Sequence, residues 1–543
     1  MPSWKVQTLG IIPESIRNLK KRSRGGESVK LKAIPLDIYT GGRYVAVMNK
    51  ERVESMNLHP QDRILIKFGS EEVVAIIDTT ERGIGKDEIG TYKDTTEKLG
   101  IKKGDLVEVV PAKPPESVEF IKEKINNQSL NYKKILKIIE DVVERNITDI
   151  ELASFVTALH LNGVSLEEAE YLSRAMAETG RILELGKKPI YDKHSIGGVP
   201  GDKTTMLVVP IVASAGLIIP KTSSKAITSP AGTANRVGVL TNVDLTLEEI
   251  KEVVEKTNGC MAWGGSMELA PADDLLIQVE YPIGVDPMLL PSIMAKKKSV
   301  GADYVVIDIP VGRGAKIRTM EEAQDLADSF IELGRRLGMS VRCGITYGEQ
   351  PIGYAMGPAL EALEALKTLM GDWSAKDLVE KATSLAGMLL ELSGEHRGKE
   401  KALKILKEGV AEKKFREIIG EQGGDPDVKP SDIQLGDKVV QIKSNHSGQV
   451  LWLSNPILSE IARAAGAPKD EGAGVLLNKK VNDLVNKGDL LFTIYAESER
   501  RMDRALEILK REEPVIVRKK ITEKMLLEEV PGKKQERFFL LER

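Results

Sequence analysis

Three strings in the sequence gather the residue types that an anionic ligand needs. The first is Lys193-His194-Ser195-Ile196-Gly197-Gly198-Val199-Pro200-Gly201-Asp202-Lys203-Thr204. Its glycines would let main-chain N–H groups approach a ligand, and a helix starting behind it would favour negative charge. It resembles a Walker A loop, but Asp202 separates Gly201 from Lys203, so it reads as an anion loop and not as evidence for an ATPase. A purely structural tight turn is the plain alternative. The second string, Lys221 to Thr233, holds two lysines and six hydroxyl residues. Short donors beside one or two point charges suit phosphate oxygens, whereas a solvated Ser/Thr loop would look the same in isolation. The third string runs through Val285-Asp286-Pro287, Ser292 and Lys296-Lys297-Lys298 to Gly312-Arg313-Gly314-Ala315-Lys316. Asp-Pro is a common helix opening with Asp as N-cap, and the lysine run reads as a solvated helix face. Gly-Arg-Gly is too short for the GxGxxG dinucleotide fingerprint. With no HExxH, paired CxxC, GxSxG or EF-hand string, metal-hydrolase and serine-hydrolase readings lose ground. A metal-free site that gathers phosphate remains.

The elements around these strings predict how they are held. Residues 188–428 alternate strand and helix, with ADYVVIDIPVG as a continuous apolar strand and TMEEAQDLADSFIELGRRLG as a long amphipathic helix, which argues a parallel α/β sheet. Ligands of such sheets sit in loops at the carboxyl ends of the strands. Residues 116–187 carry i, i+3, i+4 apolar spacing and predict a helical bundle, with Ser165 and Glu168 as a capping box. His160 falls on one of these faces and reads as a structural or surface histidine, since no second metal-type residue is spaced to join it. Residues 31–115 show short β-branched runs, with Thr40-Gly41-Gly42 as a hairpin signal between the first two, and predict a small β-barrel for packing or assembly. Residues 429–511 predict a compact α+β domain. Residues 1–30 form a basic tail, read as a solvated leader in preference to a nucleic-acid arm, and 512–543 form a charged, peripheral tail.

Composition narrows the class. A chain of 543 residues suggests three or four domains. With 78 Lys+Arg against 81 Asp+Glu, the net charge of -3 gives no global attraction to nucleic acid or anionic membrane, so any anion site must be local. Two cysteines, Cys260 and Cys343, cannot build a disulfide framework. No signal peptide or membrane-length apolar run is present, so a cytoplasmic protein without nucleic-acid or membrane partners is expected.

The strings KHSIGGVPGDKT, PKTSSKAITSPAGT, GGSMELAPADD, SIMAKKKSVGADYVVIDIPVGRGAK and GAGVLLNKKVNDLVNKGDLLFTIYAE together resemble the thymidine/pyrimidine-nucleoside phosphorylase family, most closely its archaeal AMP phosphorylase branch. The resemblance covers about Leu31 to Lys510 and leaves both tails unmatched. It implies a nucleoside phosphorylase-type α domain and α/β domain separated by a cleft, with the branch's additional N-terminal β domain. It also implies a homodimer or larger homo-oligomer, and reversible phosphorolysis of AMP, and of nucleoside 5'-monophosphates such as CMP and UMP, to free base and ribose 1,5-bisphosphate in nucleotide degradation. Inorganic phosphate is then a co-substrate and no cofactor is expected. Position by position, the resemblance makes Asp286 the proton donor. It places Gly198, Ser224, Lys225, Ala226, Ile227, Thr228, Ser229, Thr233, Ser292 and Lys316 against the nucleotide, and Lys193, Ser195 and Ser223 around phosphate. Two departures stand out. Ser223-Ser224-Lys225 replaces the Ser-Gly-Arg of nucleoside phosphorylases, putting a cation where a 5'-phosphate could need one. The stretch between Asp286 and Ser292 is two residues shorter than the archaeal pattern.

The chemistry fits such a site. Phosphorolysis needs phosphate held beside C1' of the ribose, so positioning supplies most of the catalysis. As the glycosidic bond stretches, negative charge grows on the base, and a carboxylic acid whose pKa burial or nearby anions have raised can protonate it. Closure over the cleft would exclude water. A nucleoside phosphorylase without 5'-phosphate selectivity and a non-catalytic nucleotide-binding assembly protein are the alternatives.

Overall fold

Alternating apolar residues set the first sheet. In β1 (Val29–Pro35) Leu31 and Ala33 are buried, and in β4 (Glu71–Thr80) Val73, Ala75 and Ile77 are, while their neighbours face outward. With β2 (Val45–Asn49), β3 (Arg63–Phe68), β5 (Glu88–Thr91) and β6 (Leu106–Ala112), these strands close a barrel in the order β1-β5-β2-β4-β3-β6, sealed by antiparallel β1–β6 pairing. The computed structural model describes residues 28–226, 229–267 and 269–518. The basic leader up to residue 27 and the charged tail from 519 lie outside the described residues, as do Ile227 and Thr228.

The barrel departs from the sequence reading at Thr40-Gly41-Gly42, where no hairpin forms. β5 lies between β1 and β2, parallel to the first and antiparallel to the second. The turn is held by Asp94, whose carboxylate accepts the N–H groups of Thr40 and Gly42, each at 2.8 Å. The nine residues between β1 and β2 give room for a third strand to enter.

Contacts divide the described chain into two units. The first takes the barrel and the helices up to Thr179, and also Pro271–Met288; the second takes Gly180–Ala270 and everything from Leu289. In the first unit, helices Ser117–Ile125, Tyr132–Val143, Asp149–Asn162 and Leu166–Glu178 pack with Pro271–Ile283, so a segment from within 188–428 joins the helical bundle. The capping box forms, with Glu168 N–H donating to Ser165 Oγ at 3.1 Å and Ser165 N–H donating back to Glu168 at 3.2 Å. Glu168 also binds the buried Lys124 ammonium at 2.8 Å, an interior link that the capping pattern alone does not reveal. His160 is exposed.

In the second unit, β10 (Tyr304–Val311) pairs in parallel with β7 (Tyr191–Ser195) on one side and β11 (Ser340–Tyr347) on the other. β8 (Ile219–Ser223) and β9 (Gly259–Trp263) form a second parallel pair, and a parallel bridge between Ile190 and Ile218 leads from β7 toward β8. Helix Thr205–Ser214, apolar on every side, is buried against both the sheet and the helices of residues 358–421. The C-terminal α+β part extends further than its charge suggests. Strand Val515–Arg518 pairs with strand Gly448–Leu453 inside the segment read as a peripheral tail, and buries Val515 and Val517. A short strand, β12 (Ala355–Met356), joins this C-terminal part by pairing with strand Gly474–Leu477. Among the described residues no helix is long and apolar enough to cross a membrane.

Candidate functional site

Parallel pairing brings the carboxyl ends of β7, β8 and β10 to one edge, and the first string, the second and the Gly312–Lys316 end of the third follow those ends. Strand alternation sends Asp192 and Lys193 to opposite faces of β7, and each enters a buried charge network. Lys193 is 2% exposed; its Nζ donates to Thr204 Oγ1 at 3.0 Å and lies 4.0 Å from Asp202. Asp202 is 3.8 Å from Lys381, which pairs with Asp308 at 2.7 Å, and Asp308 accepts the Thr346 hydroxyl at 2.6 Å. Burial lowers the Lys193 pKa. Burial opposes ionisation of Asp202, but Lys193 and Lys381 overcome it and hold the carboxyl far below the usual range. Burial likewise opposes charge on Lys381, yet Asp202 and Asp308 raise its pKa.

On the other face, Asp192 is shared by two lysines. Lys297 lies 2.5 Å from Oδ2 and Lys221 3.6 Å from Oδ1. All three side chains are buried, so one carboxylate serves two ammonium groups out of water. Burial pushes Lys221 down to about 7, with the Lys297 charge adding to the shift and Asp192 opposing it. His194 is driven well below its usual pKa, first by burial and then by the surrounding lysines, and stays neutral. The expectation that Lys296–Lys298 form a solvated face therefore fails at Lys297. Helix Leu289–Ser299 buries seven of its residues, and Asp192 offers the central lysine a partner inside.

The second string folds on itself. Asn235 Oδ1 accepts the N–H groups of Ala226 at 2.6 Å and Gly232 at 3.1 Å, fixing the loop to helix Thr233–Gly238, of which Thr233 is the first residue. Gly232 is tight enough that a Cβ there would lie 2.7 Å from both Ser224 O and Ala226 N. Lys225 lies 3.8 Å above the Trp263 ring and 3.2 Å from Asp244, with its head reachable by solvent. Ser223 Oγ donates to Ala262 O at 3.4 Å, and Ser229 Oγ donates to Ala231 O at 3.2 Å.

The first and third strings meet at Gly198. Its φ is +90°, and a Cβ would fall 2.7 Å from the Lys316 nitrogen, so only glycine lets these two loops touch. Ser195 Oγ accepts Gly197 N–H at 3.4 Å, and Ser292 Oγ accepts from Lys296 at 3.4 Å. Lys193, Ser195, Gly198, Ser223–Ala226, Ser229, Thr233, Ser292 and Lys316 thus all belong to the second unit. Asp286 belongs to the first, exposed in the turn after helix Pro271–Ile283. The next helix begins at Leu289, two residues later than an Asp286-Pro287 helix opening would place it. Sequence reasoning missed Asp192, Asp308 and Lys381 as site-building residues, and named Asp202, Lys203 and Lys297 within its strings without giving them a place in the site. The first was an overlooked neighbour of Lys193; Lys381 and Asp308 sit in helix and strand patterns that give no sign of pairing.

Comparison with known proteins agrees in extent and order. A glycosyl transferase family helical bundle domain matches residues 118–180, the α/β domain of that family matches 187–412, and a pyrimidine nucleoside phosphorylase C-terminal domain matches 453–514. An AMP phosphorylase from Pyrococcus furiosus is 51% identical, over 88% of this chain and 96% of its own. Those of Thermofilum pendens and Thermococcus kodakarensis are 46% and 49% identical, over 92% and 90% of this chain and 97% of theirs. On that identity and coverage, the chain belongs to the AMP phosphorylase family of phosphorylases and glycosyl transferases.

Proposed function

We propose that this protein catalyses the reversible phosphorolysis of AMP, and of related nucleoside 5'-monophosphates such as CMP and UMP, to the free base and ribose 1,5-bisphosphate. The observation that carries the reading is the near full-length identity with AMP phosphorylases. The three anion-type loops at one sheet edge support it.

In this reading Lys193, Ser195 and Ser223 hold inorganic phosphate. Ser224 to Ser229, Thr233, Gly198, Ser292 and Lys316 hold the nucleotide, with Lys225 answering the 5'-phosphate. A phosphate oxygen forms the new bond to C1' as the C1'–N bond breaks and its electron pair leaves with the base, which takes a proton from Asp286. Lys193 suits the task because an arriving anion stabilises the ammonium that burial disfavours, so its charge is strongest when phosphate is bound. The reaction needs no cofactor beyond phosphate as co-substrate. A cytoplasmic homo-oligomer acting in nucleotide degradation completes the proposal.

Incubation with AMP tests it. Adenine should appear only when phosphate is present, and adenosine or thymidine should react far less. Equal turnover of thymidine would make the protein a nucleoside phosphorylase without 5'-phosphate selectivity, and binding without turnover would make it a binding module.

A further inference from the structure

Lys203 lies between Asp202 and Thr204, the two residues that face Lys193, yet its own Nζ is bound elsewhere. It donates to the main-chain carbonyls of Gly201 at 2.9 Å, Ile352 at 2.8 Å and Ala355 at 3.2 Å, and lies 2.5 Å from Glu364 Oε2. The side chain is fully buried. Four oxygens therefore surround a group with three N–H bonds, an arrangement that suits a spherical cation better than a directional donor.

The oxygens are fixed independently of the lysine. Glu364 accepts the N–H groups of Tyr354 at 2.8 Å and Ala355 at 3.2 Å. Gly201, at φ +77°, packs so closely that a Cβ would lie 2.6 Å from Ile352 O and 2.8 Å from Ala355 O. The other carbonyls of the same strap turn to a second lysine: Lys480 binds Pro351 O and Gly353 O, the latter at 2.7 Å, with Asp377 at 2.9 Å. Rigid rings of main-chain carbonyls are the means by which proteins replace the hydration shell of a potassium ion.

We propose that Lys203 is a tethered monovalent cation. Its ammonium fills an oxygen cage that would otherwise take a potassium or ammonium ion, and it positions the Asp202–Thr204 turn against Lys193. Lys203 is a positioning residue, and the phosphate loop is thereby independent of dissolved cations. The kinetic half of this inference rests on the phosphorolysis reading; the cage itself does not.

The test compares the full-length protein with Lys203→Ala and Lys203→Met in choline, potassium and ammonium chloride at constant ionic strength. Melting temperature and phosphate KM are both read. The wild-type protein should behave alike in all three salts. Lys203→Ala should melt lower in choline and show a phosphate KM raised by about tenfold or more, with kcat less affected. Potassium or ammonium should restore both values saturably. Lys203→Met, which fills the cage without charge, should not respond, and adding Glu364→Gln to Lys203→Ala should weaken the response. A Lys203→Ala melting temperature equal in choline and potassium would overturn the proposal, as would an equal response of Lys203→Met or failure of Lys203→Ala to fold in any of these salts. If potassium raises the melting temperature of Lys203→Ala but the wild-type protein releases no adenine from AMP, the cage stands and the phosphorolysis reading falls.

Discussion

Lys297 and Asp192, 105 residues apart in sequence, form a 2.5 Å ion pair that is sealed from solvent. The pair joins helix Leu289–Ser299, which carries Ser292, to the strand that carries Lys193. Because Lys221 leans on the same carboxylate, the three residues do not contribute alike. Asp192→Asn leaves two buried lysines without an anion and should cost about 3–5 kcal/mol, whereas Lys297→Met leaves Asp192 with Lys221 and should cost less. Urea unfolding of the two variants checks the order; equal losses would contradict the shared-carboxylate arrangement.

Lys221 gives the protein a pH signature. Its folded pKa is pushed down to about 7 from an ordinary 10.5. Between those values the unfolded chain binds a proton that the folded one does not, so stability should rise with pH across this window. Below about pH 7 the full penalty of a buried charge remains. The slope contributed by this one group is at most about 1.4 kcal/mol per pH unit. Thermal melting from pH 6 to 10, compared with Lys221→Met, should show the wild-type slope flattened in the variant. Lys297→Met should raise the lower edge of the window and so narrow it, since the like charge of Lys297 helps to lower the folded Lys221 pKa.

Lys193 is the cation that faces the first loop. Its replacement by methionine removes a desolvated donor and should lower kcat/KM by about 100-fold, chiefly through the phosphate KM. Initial rates at varied phosphate and saturating AMP separate this from a general loss of fold.

Lys225 is held by an accessible carboxylate and a ring face, so its loss should change stability by no more than about 1 kcal/mol. Its proposed partner is the 5'-phosphate. Lys225→Ala should therefore raise KM for AMP by about tenfold while leaving weak adenosine turnover unchanged, because one charge-assisted hydrogen bond is at stake. Parallel loss on both substrates would remove the assigned role.

Asp286→Asn tests proton donation. The variant should bind AMP with near wild-type affinity by calorimetry while kcat falls by about 100-fold or more. Loss of binding in step with rate would indicate a structural role for this residue.

Much of this organisation was legible in the sequence because it follows from local rules. Alternation in the barrel strands, the Ser165–Glu168 box and the glycine string after β7 each depend on a few adjacent residues. What escaped depends on partners far apart in the chain. Lys297 looks like one of three solvated lysines until Asp192 is placed beneath it. The Thr40–Gly42 turn looks like a hairpin until β5, some 45 residues later, enters the gap. Val515–Arg518 looks like a charged tail because its two buried valines are outnumbered by charged neighbours. For the same reason, nothing near Lys203 reveals the carbonyls of residues 352 and 355.

The allotment of Pro271–Met288 to the first unit has a practical consequence for dissecting the protein. The chain passes between the units at 179, 270 and 288, so no single cut can yield both pieces whole. A fragment ending at Thr179 lacks the fifth helix of its bundle, and the complementary fragment carries that helix without the partners that cover its apolar side. Independent folding of the halves would be attainable only by excising the insert and grafting it after Thr179, a rearrangement that would also detach Asp286 from the backbone leading to Ser292.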